Sequence, residues 1–507
     1  MNPIHTVDYI RILPELVLTA FGIIVMMADP LLKPRASRKG LGLLSFVGTI
    51  AAIAATFCQL AWMQRDPSFS DPGWFGMVRV DSFAIFFHFL IPAISGICIL
   101  ASLEYLDVQN IHSGEYYALI LFGTVGMILM SSAIELVLIF IALEISSIST
   151  YILAGYRRRT ASSTESSIKY FLLGSFATAF FLYGVALMFG ATGSTNVLEI
   201  KAALGSSTTL LAIAATALMI VGLGFKVASA PFHIWTPDVY EGAPAPIVAL
   251  MSTGPKAAAF AVLLRVLFAT TPTHWFWLIW ISAALSMTLG NFGALMQNNV
   301  KRMLAYSSIA HAGYLLVAFA AARDTGISAA IFYTAAYAAM NVGAFAVVSH
   351  VAGGGERYVS LDDYAGLGRR SPLLAFTLTI FLLSLIGIPA TAGFLAKYYV
   401  FNAALAAAAH PTALVWLTVI GLINSAVASY YYLRLIVLMY MREPVISEAP
   451  PNATASMRLA LVLAAIATIY LGVAPGRVLD SSQAGASNIG SGSNNGRVAR
   501  QLSTPAK

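Results

Sequence analysis

Three lysines and one glutamate lie deep within the apolar stretches of this sequence. Lys226, Lys256 and Lys397 interrupt long hydrophobic runs, and Glu144 lies in the middle of LVLIFIALEISSISTYIL. A charged side chain at the bilayer centre costs at least about 2.5–3.5 kcal/mol, so such residues usually carry or switch protons or ions. We therefore predict that these four residues take part in proton transfer across a membrane.

Glu144 and Lys226 are predicted to form a switchable pair. Ser147 and Tyr151 follow Glu144 at i+3 and i+7, which places a polar stripe along one helix face. Burial raises the pKa of a carboxyl and lowers that of a lysine, and approach of the opposite charge reverses both shifts. Two alternatives remain open: Glu144 only packs against serine, and Lys226 extends its amine to the membrane surface.

Lys256, His311 and Lys397 are predicted to be stations of one lateral proton path. The ordinary pKa of histidine, about 6.5, suits proton relay between two lysines. A packing role for His311 and surface-seeking roles for the lysines are the alternatives. Arg265, nine residues after Lys256, points the opposite way on the same helix and is predicted to be a membrane anchor.

Three further residues are secondary candidates. His233 follows Pro231, close to Lys226, and Lys169 lies in STESSIKYFLLGS. Glu135 lies on the opposite side of the helix from Glu144, since nine residues correspond to half a turn beyond two full turns. Its alternative role is a negative charge that stabilises a helix N-terminus.

The composition is that of an integral membrane protein. The 507 residues are 59% hydrophobic and 10% charged, whereas soluble domains carry about 25% charged residues. No stretch has the composition of a soluble domain, and Cys58 and Cys98 form no metal-binding or disulfide pattern. The sequence contains no P-loop, dinucleotide fingerprint or nucleophile elbow, so soluble-enzyme chemistry has no support. The net charge is +7, but the basic residues fall in short loops between apolar runs, as orientation determinants do, so the charge does not indicate nucleic-acid binding.

Runs of about 20 apolar residues predict an all-α polytopic protein with about fourteen transmembrane helices. The first is predicted to be a retained helix rather than a signal peptide. The predicted spans are 10–31, 40–63, 82–103, 116–132, 134–155, 167–191, 208–229, 244–270, 275–296, 302–321, 327–351, 373–407, 412–441 and 458–475.

The seventh and twelfth spans are predicted to be broken, because Pro231 and Pro237 follow the seventh and GIPATAGF interrupts the twelfth. Such paired breaks indicate two inverted five-helix repeats around a transport site. The predicted divisions are a three-helix segment 1–115, repeats 116–270 and 271–441, a helix 442–477 and a disordered polar tail 478–507.

Basic residues concentrate in alternate loops, which places those loops in the cytoplasm and both termini on the periplasmic side. The predicted cytoplasmic set is Lys33, Arg35, Arg38, Lys39, Arg157, Arg158, Arg159, Lys169, Lys301, Arg302, Arg357, Arg369, Arg370, Arg442 and Arg458.

Several motifs resemble the antiporter-like membrane subunits of respiratory complex I. They are IALEISSISTYILAGYRR, STESSIKYFLLGS, GFKVASAPFHIWTPDVYEGAPAP, VKRMLAYSSIAHAGYLL and GFLAKYYV. The likeness covers nearly all of residues 10–475. PDVYEGAPAP is similar to subunit N, a relative of mitochondrial subunit 2, rather than to subunits L and M or multisubunit sodium/proton antiporters.

The resemblance implies a hydrated axis of charged residues midway through the membrane, formed by Glu144, Lys226, Lys256, His311 and Lys397. It implies proton translocation in the inner membrane of a bacterium, coupled to quinone reduction in other subunits. The expected partners are other antiporter-like subunits, small membrane subunits and lipid. FMN and iron–sulfur clusters are expected in partner subunits, with no cofactor in this chain. A sodium/proton antiporter subunit and a non-conducting scaffold are the alternatives.

Overall fold

The chain folds as a bundle of helices, and the computed structural model describes residues 6–33, 36–205, 209–269, 275–321, 324–446 and 450–490. Within these ranges no extended strand occurs, and short 3₁₀ turns join some helices. The helices are α1 Thr6–Arg11, α2 Leu13–Ala28, α3 Lys39–Arg65, α4 Ser82–Val108, α5 Glu115–Ser132, α6 Leu136–Ala154, α7 Ala161–Thr192, α8 Val197–Leu204, α9 Leu210–Val227, α10 Trp235–Gly242, α11 Ala245–Met251, α12 Gly254–Ala269, α13 Phe276–Leu295, α14 Val300–Ala320, α15 Asp324–Val351, α16 Leu367–Arg370, α17 Pro372–Ile386, α18 Ala392–Ala406, α19 Pro411–Met441, α20 Ala455–Val473 and α21 Gly476–Gly490.

The prediction of a polytopic all-α membrane protein is confirmed. Thirteen helices in the described ranges are long and apolar enough to cross a membrane, counting α11 and α12 as one continuous segment. The broken twelfth span, α17 with α18, accounts for the fourteenth predicted span. Each of the fourteen predicted spans corresponds to one of these helices or helix pairs.

Polar side chains fix where many of the apolar helices begin. Four helices begin directly after a side chain that accepts a hydrogen bond from a backbone amide of the first turn. These side chains are Asp81 before α4, Glu135 before α6, Asn299 before α14 and Thr454 before α20. These caps satisfy amides that have no partner within the helix. Helix capping is therefore the contact that the structure shows for the Glu135 carboxylate, whose Oε2 accepts a hydrogen bond from the Leu138 amide at 2.6 Å.

The seventh span breaks where the prolines predict. Helix α9 ends at Val227, and Ala228 adopts a left-handed conformation with φ 56°. After this break the chain resumes as α10 at Trp235. The Ala230 amide donates to Ser286 Oγ on α13 at 2.7 Å, and Ser282 Oγ donates to the Ala230 carbonyl at 2.7 Å. Because α13 satisfies both groups, irregular backbone is tolerated inside the bundle.

The twelfth span breaks in the same way. Helix α17 ends at Ile386, Gly387 adopts a left-handed conformation with φ 95°, and α18 begins at Ala392. The Gly393 amide donates to Ser384 Oγ at 3.1 Å. A Cβ at position 393 would lie 1.8 Å from the Ser384 carbonyl oxygen, so only glycine allows this close approach.

The helices that carry the central candidates form the interior of the bundle. The segment Ala245–Phe268, which holds Lys256, is buried along all of its most apolar stretch, and α14 and α15 are buried along 94% of theirs. By contrast, the first span is buried along only 28% of that stretch. The interior position of Lys256 and His311 therefore follows from the packing of whole helices.

Loops predicted on the same side of the membrane meet one another. On one side Val78 bridges to Ala133, and Glu135 bridges to Asn196. Asn299 bridges to Ser360 on the other side, which carries most of the basic residues. We call this second side the basic face.

The expectation of a disordered tail from residue 478 is wrong for residues 478–490. Residues 478–490 belong to helix α21, in which Ser482, Ala486 and Ile489 are buried. Helix α21 packs on α4 and α15, and Gly485 lies against Phe83. The polar residues of this segment form one face of an amphipathic helix, which composition alone did not reveal. Residues 491–507 of the predicted tail lie outside the described residues.

Arg265 is not a membrane anchor. Its side chain is only 6% exposed. Its Nη2 is 2.9 Å from Asp81 Oδ1, and its Nε donates to the Ser131 carbonyl at 2.9 Å. The partner Asp81 lies far away in sequence, so helix periodicity could not identify this buried ion pair.

Removing α21 is expected to destabilise the protein. A stop after Ala474 removes the apolar face that packs on α4 and α15, and burial of one side chain such as Ile489 contributes about 1.5–3 kcal/mol. We expect a lower midpoint of thermal unfolding, measured by helical circular dichroism of the detergent-purified chain. A stop after Gly490, which leaves α21 intact, is the matched control. Equal midpoints for the two truncations would contradict a stabilising role for α21.

Candidate proton-transfer site

Lys226 lies in the last turn of α9, next to the break of the seventh span. Its side chain is 5% exposed, and its Nζ is 5.0 Å from the centre of the Tyr151 ring and 5.3 Å from that of Tyr170. Aromatic faces and a helix C-terminus both favour a cation. Nζ has no hydrogen-bond partner among the described residues. The ammonium is therefore held in place without a hydrogen bond to a fixed protein group.

Glu144 is half-buried on α6, two turns before Tyr151. Its Oε1 is buried without a hydrogen-bond partner in the part of the chain that the structure describes. No ion pair joins Glu144 to Lys226 within these residues, so the two groups are not in direct contact in this conformation. The prediction that they pair in a switchable way stays a prediction.

Lys256 projects from the first turn of α12 towards α14. Its Nζ donates to Ser308 Oγ at 2.5 Å and to the Ser308 carbonyl at 3.2 Å. Tyr337 on α15 donates its hydroxyl to the same Ser308 Oγ at 2.8 Å. Ser308 thus connects the Lys256 ammonium to a tyrosine on a third helix.

His311 lies one turn after Ser308 on α14 and is 3% exposed. Its Nδ1 is 2.7 Å from the Tyr333 hydroxyl. The ring centre is 5.1 Å from that of Tyr337 and 5.7 Å from that of Tyr314. The imidazole therefore lies among tyrosines on the side of α14 that Lys256 also contacts.

Lys397 folds back over the break of the twelfth span. Its Nζ donates to the Ile386 carbonyl and to Ser425 Oγ, both at 2.8 Å, and to the Leu385 carbonyl at 3.2 Å. The two carbonyls are at the C-terminus of α17, where a positive charge is favoured. Nζ also lies 4.8 Å from the centre of the Tyr314 ring. Lys226 is in the last turn of the first half of its broken helix, α9, whereas Lys397 is on the second half, α18, and its amine reaches the C-terminus of the first half, α17.

Aromatic and hydroxyl side chains lie next to these residues. On one side of the bundle the Tyr170 ring stacks on Trp235 at 4.6 Å, and Trp235 contacts Tyr240 edge to face at 6.0 Å. On the other side Ser308, Tyr337 and Tyr314 lie between Lys256 and Lys397. A tyrosine or serine in a membrane helix is too common to be distinguished by sequence, and only its neighbours indicate a role.

The secondary candidates Lys169 and His233 lie in different parts of the bundle. Lys169 Nζ is 2.7 Å from Glu165 and 2.8 Å from Asp238, which also pairs with Arg302 at 2.8 Å. These residues line a cavity of about 450 Å³ on the basic face. His233 lies in the loop of the seventh-span break, between α9 and α10.

A buried carboxylate links the two halves of the chain beside this cavity. Glu356 Oε2 is 2.7 Å from both Arg157 and Lys301, and its Oε1 accepts bonds from the Tyr105 hydroxyl and the Ala245 amide, each at 2.8 Å. Burial by itself raises the pKa of the Glu356 carboxyl, but the charges of Lys301 and Arg157 hold the pKa below the usual value. This cluster could not be predicted from the sequence, because its members lie on distant segments.

Replacing Glu356 by glutamine is expected to destabilise the fold by about 3–5 kcal/mol, because two buried cations lose their partner. The matched control is Glu165→Gln, which breaks an exposed pair with Lys169 worth about 0–1 kcal/mol. Since the pKa of Glu356 is lowered by folding, its contribution is present at neutral pH and lost as pH falls through the folded-state pKa, below the ordinary value of about 4.3. Thermal unfolding curves at several pH values test both points. A loss no greater than that of the control would contradict the assignment.

The described residues contain no group of three or more His, Cys, Asp or Glu side chains that could hold a metal ion. Cys98 is buried and Cys58 is exposed, both as free thiols. The arrangement as a whole offers buried amines, an imidazole, hydroxyls and one carboxylate, which can bind and pass protons.

Comparison with known proteins identifies the family. Residues 133–426 match the family model described as NADH:quinone oxidoreductase/Mrp antiporter, TM. NADH-quinone oxidoreductase subunit N 2 of Koribacter versatilis is 64% identical over 476 residues, covering 93% of this chain and 95% of the relative. The chain belongs to the subunit N family of NADH-quinone oxidoreductases. It is thus a multi-pass membrane protein, and the resemblance seen in the sequence motifs is confirmed.

Solved structures agree with this family. A chain of respiratory complex I from Thermus thermophilus with bound aureothin is 37% identical, with a TM-score of 0.76, covering 93% of this chain and 99% of that one. A chain of the Mrp complex from Dietzia sp. aligns with a TM-score of 0.81, covering 96% and 99%, but at 20% identity. This second likeness shows a shared fold alone.

Proposed function

We propose that this member of the subunit N family translocates protons along an axis of Glu144, Lys226, Lys256, His311 and Lys397. Redox chemistry in partner subunits would drive the movement. The main support for this proposal is the burial of three lysines inside the bundle, with hydroxyl and aromatic side chains between Lys256 and Lys397. Buried amines at membrane depth are costly, and a role in proton movement accounts for that cost.

The two broken helices supply the sites at which protons are held. Lys226 lies at the end of the half-helix α9, and the amine of Lys397 reaches from α18 to the end of the half-helix α17. The backbone at such ends can shift more readily than that of a continuous helix. The inverted repeats 116–270 and 271–441 would place one of these two lysines in each repeat. A small displacement at either break would change the distance between its lysine and the neighbouring groups, and with it the affinity of the lysine for a proton.

Protons would enter from the basic face. The cavity there is lined by ionisable groups, including Lys169, Asp238 and Glu241, and its wall includes α10, which leads back to the Lys226 break. Ionisable side chains in contact with water can exchange protons rapidly with it. By the distribution of basic loops, this face is the cytoplasmic side of a bacterial inner membrane, and both termini are periplasmic.

The partners proposed for this chain are the other membrane subunits of the oxidoreductase, including antiporter-like and small subunits. The complex I assembly from which the Thermus relative comes supports a multisubunit setting. FMN and iron–sulfur clusters would be held by other subunits of that assembly. The three-helix segment 1–115 and the helix 442–477 would flank the repeats, as expected from the sequence.

Purification of the intact assembly through a tag on this chain tests the function. We expect co-purifying subunits with NADH dehydrogenase activity and, in sealed vesicles, proton uptake that follows NADH addition. An assembly without NADH oxidation, but with sodium-dependent proton exchange, would favour the sodium/proton antiporter instead. If neutral substitutions of the three lysines left pumping intact, the chain would be a scaffold.

A further inference from the structure

A second cluster of buried ionisable groups lies in the N-terminal three helices, away from the proposed axis. Glu15 on α2 is 5% exposed and His88 on α4 is fully buried. Glu15 Oε1 is 4.0 Å from His88 Nε2. Neither carboxylate oxygen of Glu15, nor His88 Nε2, has a hydrogen-bond partner in the described ranges. Three buried polar atoms therefore lie close together without hydrogen-bond partners among the described residues.

The hydrogen bonds of Gln59 fix the tautomer of His88. Gln59 Nε2 on α3 donates to the carbonyls of Ile10 at 3.2 Å and Arg11 at 2.8 Å. The Gln59 Oε1 atom, which can only accept, is 2.8 Å from His88 Nδ1. Nδ1 must therefore carry a hydrogen, and in the neutral imidazole the unprotonated Nε2 faces Glu15.

The cluster is short of one proton if Glu15 is ionised and His88 is neutral. Such a state buries a carboxylate with no donor beside an imidazole nitrogen with no donor, which is costly in the protein interior. One proton resolves both deficits when the two atoms approach from 4.0 Å to hydrogen-bond distance, because it can then reside on Glu15 and be offered to Nε2, or reside on Nε2 and be offered to Glu15. Either arrangement leaves the pair with no net charge.

Neighbouring charges do not supply that proton or neutralise the pair. On α1, Asp8 and Arg11 are 2.6 Å apart and engage each other. At the start of α4, Asp81 engages Arg265 of α12. Each charged group on the helices and loops around the cluster is thus engaged by another of them, and Asp81 is shared by two arginines; the groups are Asp8, Arg11, Arg79, Asp81 and Arg265.

We propose that Glu15 and His88 form a second proton-binding site, which holds one exchangeable proton between Glu15 Oε1 and His88 Nε2. Glu15 is near the start of α2, Gln59 near the end of α3 and His88 near the start of α4, so the site lies towards the face opposite the basic loops. It is independent of the Glu144–Lys397 axis, and its existence does not depend on the function proposed for that axis.

Infrared pH-difference spectra of the full-length chain, in lipid with its co-purifying subunits, test the site. A buried protonated carboxyl gives a C=O stretching band that shifts in D₂O. We expect this band in the wild type and its complete loss in Glu15→Gln. The matched control is Glu199→Gln, which removes an exposed carboxylate on α8 and should leave the band unchanged. A wild-type spectrum identical to that of Glu15→Gln at every pH would overturn the proposal.

Two more variants keep the test decisive. His88→Gln removes the base that shares the proton, so the pH range in which the band disappears should change; an unchanged titration would show that the two residues share no proton. Glu15→Asp retains a carboxyl in the site and serves if Glu15→Gln does not assemble. It should move the band to a different frequency, and a band that stays in place would belong to another residue.

Discussion

Lys397→Arg is expected to reduce NADH-driven proton pumping by more than half in a normally assembled complex. The lysine ammonium donates to the Ile386 carbonyl and to Ser425 at the twelfth-span break. Arginine preserves the positive charge, but it holds its proton at any working pH and cannot alternate between charged and neutral states. The measurement is proton uptake by membrane vesicles relative to quinone reduction, with assembly checked on native gels.

The matched control for this substitution is Lys201→Arg, the same exchange at an exposed position on α8. Lys397→Ala should lower pumping at least as far as Lys397→Arg, and Lys256→Arg should behave like Lys397→Arg if both lysines serve one lateral path. Wild-type pumping in Lys397→Arg would mean that only a fixed positive charge is needed at the twelfth-span break.

Glu144→Gln is expected to lower coupled proton movement strongly while leaving the fold intact. The side chain is half-buried and Oε1 has no hydrogen-bond partner among the described residues, so an amide of the same size replaces it without breaking a bond. If Glu144 and Lys226 pair as proposed, the substitution removes the negative charge that stabilises the charged form of Lys226, whose ammonium lies over the rings of Tyr151 and Tyr170. Pumping and quinone reduction should be measured on the same membranes.

The neighbouring helix α5 provides a control with the same change of charge, Glu115→Gln, at an exposed site in its first turn. Lys226→Ala should produce a defect similar to that of Glu144→Gln, and the double variant should be no worse than the more severe single one. Such non-additivity is expected when two residues act as a unit. Unchanged pumping in Glu144→Gln would exclude the pairing of Glu144 with Lys226.

Much of the architecture could be predicted because the bilayer imposes a simple rule on the chain. A span needs about 20 apolar residues, and its backbone hydrogen bonds must form within the span. The fourteen spans could therefore be recognised in the sequence as hydrophobic runs. The breaks at Pro231 and at Gly387 were predictable because proline and glycine act on the local backbone. Helix α21 was missed because its apolar positions are few and spaced along one face, so its overall composition is polar.

Most candidates for chemistry could be recognised without the structure, since an ionisable group in a hydrophobic run is conspicuous. The tertiary structure decided what each one contacts: Lys256 meets Ser308, Lys397 folds back onto the end of α17, and Glu15 faces His88. It also decided that Arg265 pairs with Asp81 and Glu356 with Lys301. The physical reason is that helix periodicity fixes neighbours within about one turn, whereas these partners are brought together only when separate helices pack.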